Sequence, residues 1–335
     1  MKTLENWFLP KNEFCIEKTY FYLEWNYNAT RPKKVEWLSS LPNNCNLIKK
    51  ITLNGCLQIT VCGKVYNETS DPFTDLESSF EYKNKSLLKS HLQKCVRRKL
   101  ECKAIRTAYF HMKRDIGDFL RRLPIIMLED TCLHDSIQII VWFMCMNDKI
   151  NYQNYMIWFF MGIVHYISTS DYCDGTEIKR QYTSKPDIIN LWNETEKLPE
   201  NIRNMIFSLI IRYSFGGMKG DGNMIIDNIY YYIQNPNYKP HFGDKIRPVK
   251  IYKSLYLNEF EKSAIDFHCY PMIISDLADL YPDINPDMLK KTIWFNSSCY
   301  NKRKPFVVEE EYLQIWNMIK NDYDRIAQEL LVSYI

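Results

Sequence analysis

Asp266-Phe267-His268-Cys269 sets a carboxylate, an imidazole and a thiol within four residues. In an extended segment Asp266 and His268 share one face. That geometry starts a metal site or orients a general base, with Cys269 as a softer ligand beside them. A metal needs more donors, and His111, His134 and His241 are remote in sequence, so a buried, hydrogen-bonded histidine at a turn is the competing reading. Gly216-Gly217-Met218-Lys219-Gly220-Asp221-Gly222 is the one glycine-rich run. Bare backbone amides there could cradle a phosphate with Lys219 assisting. No Ser or Thr follows Lys219 to hold magnesium, and a helix stop followed by a tight turn explains the glycines equally well. Arg121, Arg122, Glu129 and Asp130 invite a catalytic reading, but partly buried arginine is usually paired, and a structural ion-pair network is the expectation. These residues point away from an enzyme, and no cofactor or metal is expected.

Charge is concentrated in one place. Residues 85–122 hold twelve Lys or Arg against Glu101, Asp115 and Asp118, a net of +9 in a chain whose total is only +3. A positive stretch of that density is what phosphate-backbone contact requires, and Lys94, Arg97, Arg98, Lys99, Lys103 and Arg106 are its candidate DNA ligands. The alternative is a solvated helix face laced with internal salt bridges. Eleven cysteines, none at C-x-x-C spacing, argue against structural zinc and read as reduced core thiols. No signal-peptide pattern opens the chain, so an intracellular location is expected: nucleus, cytoplasm or a viral replication site. Asn28-Ala29-Thr30 and Asn296-Ser297-Ser298 match glycosylation sequons, which arise often by chance in an Asn-rich chain. Apolar segments at 137–146 and 152–168 are too short or too polar for a bilayer and read as buried helices, so no membrane partner is expected.

Two segments resemble known proteins. Met1-Lys2-Thr3-Leu4-Glu5-Asn6-Trp7-Phe8-Leu9-Pro10-Lys11 resembles the PCNA-interacting peptide, or PIP box. Leu4 holds the aliphatic position and Trp7 and Phe8 the aromatic ones, while Met1 stands where the motif has Gln. One tight helical turn would project the three side chains as an apolar plug. Residues 90–145 are similar to the C-terminal helical region of the RarA/MgsA family of clamp-loader-related ATPases. The landmarks are Ser90-His91-Leu92-Gln93-Lys94-Cys95-Val96-Arg97, Ala104-Ile105-Arg106-Thr107-Ala108, Arg121-Arg122-Leu123-Pro124 and Glu129-Asp130. This resemblance implies a helical domain for DNA-linked assembly, often as homo-oligomers. It does not bring the ATPase, since no G-x-x-x-x-G-K-[ST] loop occurs in the chain. The bias toward Asn, Lys, Ile and Tyr is similar to that of large-DNA-virus proteins.

The elements that must hold these residues follow from periodicity. Residues 47–53, then Asn54-Gly55, then 56–62 read as a β-hairpin, because both turn positions accept positive φ. Residues 14–25 suit another strand, and Asp71-Pro72 with the polar stretch 77–85 marks a boundary. From Ser86 onward helical spacing takes over: Leu88, Leu92, Cys95 and Val96 share a face, as do Ile202, Met205, Ile206, Leu209, Ile210 and Tyr213. Tyr312, Trp316, Ile319, Tyr323, Ile326 and Leu330 form a heptad-like stripe, short enough to pack on its own domain. Pro236, Pro240 and Pro248 make 235–254 a loop. The fold class expected is α+β: a clamp-binding-like peptide at 1–11, a β-rich domain at 12–80 and a larger, mainly helical domain at 86–335.

The function expected is a non-enzymatic DNA replication or repair accessory protein, tethered to a PCNA-type sliding clamp and holding DNA or a partner through the basic helical region. A second reading is a structural or assembly module, viral in origin, that makes protein contacts only. A third is a nucleic-acid enzyme using Asp266 and His268.

Overall fold

The computed structural model describes residues 19–53, 57–69, 71–73, 84–173, 187–237, 246–304 and 307–334. Four strands open it: β1 Thr19–Trp25, β2 Lys34–Leu38, β3 Leu47–Leu53 and β4 Leu57–Val65. They form a sheet of order β2-β1-β4-β3, in which β1 and β4 run parallel between two antiparallel edge strands. Strand alternation explains which face is covered. Phe21, Leu23 and Trp25 of β1 and Leu57, Ile59, Val61 and Val65 of β4 are buried on one face; on the other, Gln58 and Lys64 are exposed while Tyr22, Glu24 and Cys62 are covered as well. The hairpin ladder closes at Leu53 opposite Leu57, and the Asn54-Gly55 turn lies outside the described residues. So do residues 14–18, which were expected to extend β1.

A sheet with one apolar face needs another layer to bury it. That layer is α3, Ile137–Met146, and α4, Asn154–Thr169. Trp25 meets Phe143 and Phe159 edge-on, with ring centroids 5.6 and 5.2 Å apart. Trp142 lies on Gly63, where an added Cβ would come within 2.5 Å of its ring, and its indole N–H donates to Cys62 O at 2.9 Å. Only glycine permits that approach. All ten residues of α3 are buried, as expected of a core helix. Among the described residues no helix is long and apolar enough to cross a membrane. The sheet and the helices share one continuous core, from Phe21 to Leu331, so the sheet has no separate core of its own.

The two longest-paired helices are α1, Lys85–Arg97, and α2, Glu101–Asp130. Asn84 caps α1, its side-chain oxygen accepting from the N–H groups of Ser86 and Leu87 at 3.0 and 3.2 Å. At the other end Leu100 N–H reaches Cys95 O at 2.8 Å and Lys99 N–H reaches Val96 O at 3.1 Å, a Schellman closure with Lys99 at φ 58°. α2 is broken at Asp115, whose non-helical backbone lets its carboxylate accept from Asp118 N–H at 2.9 Å and restart the helix.

The remaining described helices are α5 Ile188–Thr195, α6 Glu200–Ser214, α7 Lys219–Gln234, α8 Asp266–Leu280, α9 Pro286–Ile293 and α10 Glu310–Tyr334. A five-residue π-helical turn, Trp294–Ser298, follows α9 directly. The apolar stripe of α10 packs on α8 and α9 of its own chain, with Ile319, Tyr323 and Ile326 buried. The described residues of the 235–254 loop carry no helix or strand beyond the end of α7.

Candidate functional site

Part of the basic stretch turns inward, while Lys113 and Arg114 remain exposed. Lys94 and Arg97, two of the six cations expected to face phosphates, are only 2% and 6% exposed. Arg97 donates to Asp130 Oδ1 at 2.6 Å, to Glu129 Oε1 at 2.8 Å and to the Ser298 carbonyl at 2.8 Å. Arg98 reaches Glu261 at 3.3 Å, the Ser263 hydroxyl, and Ser297 O at 2.7 Å. Lys99 pairs with Asp171, Lys103 with Glu261 at 2.7 Å, and Arg106 with Glu259 at 2.6 Å. Burial, reinforced by Arg97, pushes the Lys94 ammonium down to about 8, with Asp266 and Asp130 opposing the shift. Of the six, Lys94 and Arg97 are turned away from solvent, and Arg98, Lys99, Lys103 and Arg106 are engaged by carboxylates of the same chain. The surplus charge of 85–122 is met by carboxylates such as Glu259 and Glu261, which lie more than 150 residues further along the chain.

The residues expected to form structural ion pairs divide. Gln93 joins the Arg97 cluster by donating to Glu129 and Asp130 at 2.7 and 2.9 Å. Arg122 donates to Gln93 and to Asp221 Oδ2, the latter at 3.2 Å. Arg121 lies outside this cluster and donates to the Phe215 carbonyl at 3.2 Å. Its own carbonyl accepts from Arg212 at 2.7 Å. Arg303 is a cross-brace: its guanidinium donates to Val96 O at the end of α1 and to Ile167 O and Ser170 O at the end of α4, at 2.6–2.8 Å. Cations at helix C-termini complement the orphan carbonyls there.

Asp266 opens α8, so the extended geometry that would have aligned it with His268 is absent. On a helix, residues two apart point away from each other. The side chains of His268 and Cys269 lie outside the described residues, and so do Leu4, Trp7 and Phe8. Among the described residues no group of three or more His, Cys, Asp or Glu is placed to hold a metal ion. Asp266 instead is fully buried among hydroxyls: Ser298 donates to it at 2.5 Å, Tyr323 at 2.7 Å and Ser297 at 3.4 Å. Tyr270 OH meets the Ser298 hydroxyl on its other side. Burial raises the Asp266 carboxyl above the usual carboxylate range, against the pull of the Ser298 hydrogen bond and Lys94.

The π-helical turn makes this arrangement. Its extra residue per turn brings Ser297 and Ser298 onto Asp266 while leaving Trp294 at the surface, 39% exposed. Beside it opens a cavity of about 400 Å³ lined by Tyr270, Asp287, Lys290, Lys291 and Trp294. Sequence reasoning did not read Tyr270, Ser297, Ser298 and Arg303 as site residues, and placed Tyr323 only in the apolar stripe of the last helix. Ser297 and Ser298 entered it only within a glycosylation sequon, whose Asn296 amide donates to Thr292 O at 3.0 Å.

Two further constellations are structural. Gly216 and Gly217 adopt φ 72° and 141° at the end of α6, the helix stop that competes with a phosphate cradle, and Arg212 donates to Gly216 O at 2.7 Å. His91 and Cys95, one turn apart on α1, approach at 3.3 Å. Both are fully buried, and His91 also meets Thr107 at 2.8 Å and stacks on Phe260. Burial pushes the imidazole down to about 3 and the Cys95 thiol well up, so neither is a poised nucleophile or base.

Compared with known proteins, the chain matches no family model, no curated protein and no solved structure.

Proposed function

We propose that the chain is a non-enzymatic accessory protein of DNA replication or repair, tethered through residues 1–11 to a PCNA-type sliding clamp, with the helical part holding DNA or a protein partner. The observation that supports it most is the Gln93–Arg97–Arg122–Glu129–Asp130 network. These residues lie within the landmark runs by which 90–145 resemble the RarA/MgsA helical region, and they meet across α1 and α2. Landmarks that far apart in sequence have a physical reason to occur together when they neutralise one another in a low-dielectric interior.

The test is binding of the full chain to the cognate clamp by calorimetry. Wild type is expected to bind, weakly because Met1 replaces the Gln of the motif. The Trp7→Ala plus Phe8→Ala variant is expected to lose binding, because both aromatic anchors are removed. No heat at high-micromolar clamp with the wild type would overturn the reading.

A second reading, an assembly module that makes protein contacts without touching DNA, is favoured by the internal pairing of the basic stretch. It is tested by titrating duplex DNA at two salt concentrations. A steep fall in affinity with salt that is abolished by Lys99→Glu plus Lys103→Glu would return phosphate contact to this stretch.

A further inference from the structure

We infer that the cavity between α8 and α9 binds a single nucleotide unit, its base against Trp294 and Tyr270 and its phosphate on Lys290 and Lys291. At about 400 Å³ the cavity is within the size range of small-ligand sites, roughly 300–1,000 Å³. Its walls combine two chemistries that a nucleotide needs together. An exposed indole and a half-buried phenol ring offer flat apolar surface for a base. Two adjacent ammonium groups offer charge for a phosphate, and neither makes an ion pair with any described residue. That sets them apart from Arg97, Arg98, Lys99, Lys103 and Arg106, each of which has a carboxylate partner. Asp287, one turn earlier on the same helix, also lines the cavity and supplies an acceptor for a sugar hydroxyl or a base amino group.

Cations in the last turn of a helix are favoured by its dipole, and that alone would account for Lys290 and Lys291. It does not account for the exposed Trp294 beside them, nor for the π-helical turn that holds it there. Such turns persist where a side chain must be aimed, since they sacrifice regular helix hydrogen bonding. The opposite wall is fixed as well: the Tyr270 hydroxyl is tied to Ser298, which is tied to the buried Asp266, which takes a third hydroxyl from Tyr323. A ring held at its far end by a buried network is preorganised for stacking, so little ordering cost remains when a ligand arrives.

The nucleotide can come free in solution or as the end of a single strand, and the probes separate these sources. The full chain is titrated calorimetrically with AMP and, separately, with a short oligothymidylate; adenosine and inorganic pyrophosphate are the controls. Saturable binding of AMP alone identifies a free nucleotide, and saturable binding of the oligothymidylate identifies a strand end; either supports the inference. Lys290→Glu plus Lys291→Glu is expected to weaken binding by roughly tenfold or more through lost phosphate attraction. Trp294→Ala is expected to weaken it by a similar factor through lost stacking. Both variants are expected to melt somewhat below wild type, the lysine reversals by placing acidic charge at a helix C-terminus and Trp294→Ala by losing the covered part of its indole, so binding is read well below the melting temperature of each, where circular dichroism shows it folded. Absence of saturation with both probes overturns the inference, as does wild-type affinity in the Trp294→Ala protein. Pyrophosphate or adenosine binding as tightly as AMP would overturn it too, by removing the need for one of the two chemistries.

Discussion

Residues 85–122, covering α1 and most of α2, carry a net charge of +9, much of it paired within the chain, whereas the two adjacent lysines of the α9 corner have no described ion-pair partner. In the first region Arg97, Arg98, Lys99, Lys103 and Arg106 each reach a carboxylate of the same chain, and Lys94 is buried. In the second, Lys290 and Lys291 stand beside a cavity with no described ion-pair partner. Charge density along a sequence therefore measures how much neutralisation a fold must supply, and free charge is what remains after distant segments have supplied it. Here the supplying segment is 259–261, folded back onto α1 and α2.

The largest effect that separates the two regions is on stability. Asp130→Ala leaves Arg97 buried without its closest carboxylate and removes an acceptor from Gln93. Breaking one partner of a buried pair costs about 3–5 kcal/mol, because the remaining charge stays desolvated. Lys290→Ala plus Lys291→Ala should change stability by no more than about 0.5 kcal/mol, as exposed substitutions do. Urea unfolding of both variants checks this. An Asp130→Ala loss below about 1 kcal/mol would mean that Arg97 finds water or another acceptor, and that the network is looser than its geometry.

The next effect is on pH dependence, and it too belongs to α1. His91 titrates near 6.5 when unfolded and about 3 when folded. Between those values the unfolded chain binds the extra proton, so stability falls as pH drops from about 6.5 toward about 3, by up to about 1.4 kcal/mol per pH unit. The depressed Asp118 carboxylate, held by His111 and Lys89, adds loss of the same sign at lower pH. His91→Asn should therefore flatten the acid limb without abolishing it, read from urea midpoints between pH 7 and 4. Lys94 gives the opposite limb: its folded value of about 8 lies below 10.5, so stability rises as pH climbs through that window. Lys94→Met should remove the rise and stabilise the protein at pH 7. An unchanged alkaline limb in that variant would exclude Lys94 as its source.

Fold class was legible because hydrophobic period is a local property. The alternation in 47–65 and the spacing of Leu88, Leu92 and Cys95 read directly as strand and helix, and Gly216-Gly217 as a stop. The layer arrangement was less so, since nothing local tells Gly63 that Trp142 will cover it. The site was illegible for a stronger reason. Asp266 was noticed for its neighbours at 268 and 269, but its partners are Ser297, Ser298 and Tyr323, brought to it by a π-helical turn that no periodicity announces. Arg303 looks like any surface arginine in sequence and becomes a brace only when the ends of α1 and α4 converge on it.

The smallest effect concerns Lys99, the cation of the basic stretch that depends least on its charge. Its partner Asp171 is 91% exposed in its side chain, so solvent screens the pair and the pair adds little. Its backbone, by contrast, sits at φ 58° to close α1, a conformation that costs a residue with a Cβ about 1–2 kcal/mol. Glycine releases much of that strain and gives back part of it as extra freedom in the unfolded chain. Lys99→Gly is therefore expected to raise stability by roughly 0.5–1 kcal/mol. Lys99→Ala, which loses the pair and keeps the strain, should be neutral or slightly destabilising. Thermal or urea unfolding of the two variants side by side decides it. If the glycine protein is the less stable one, the Lys99–Asp171 pair contributes more than its exposure allows, and the stretch acts as one coupled network out to its solvent-facing end.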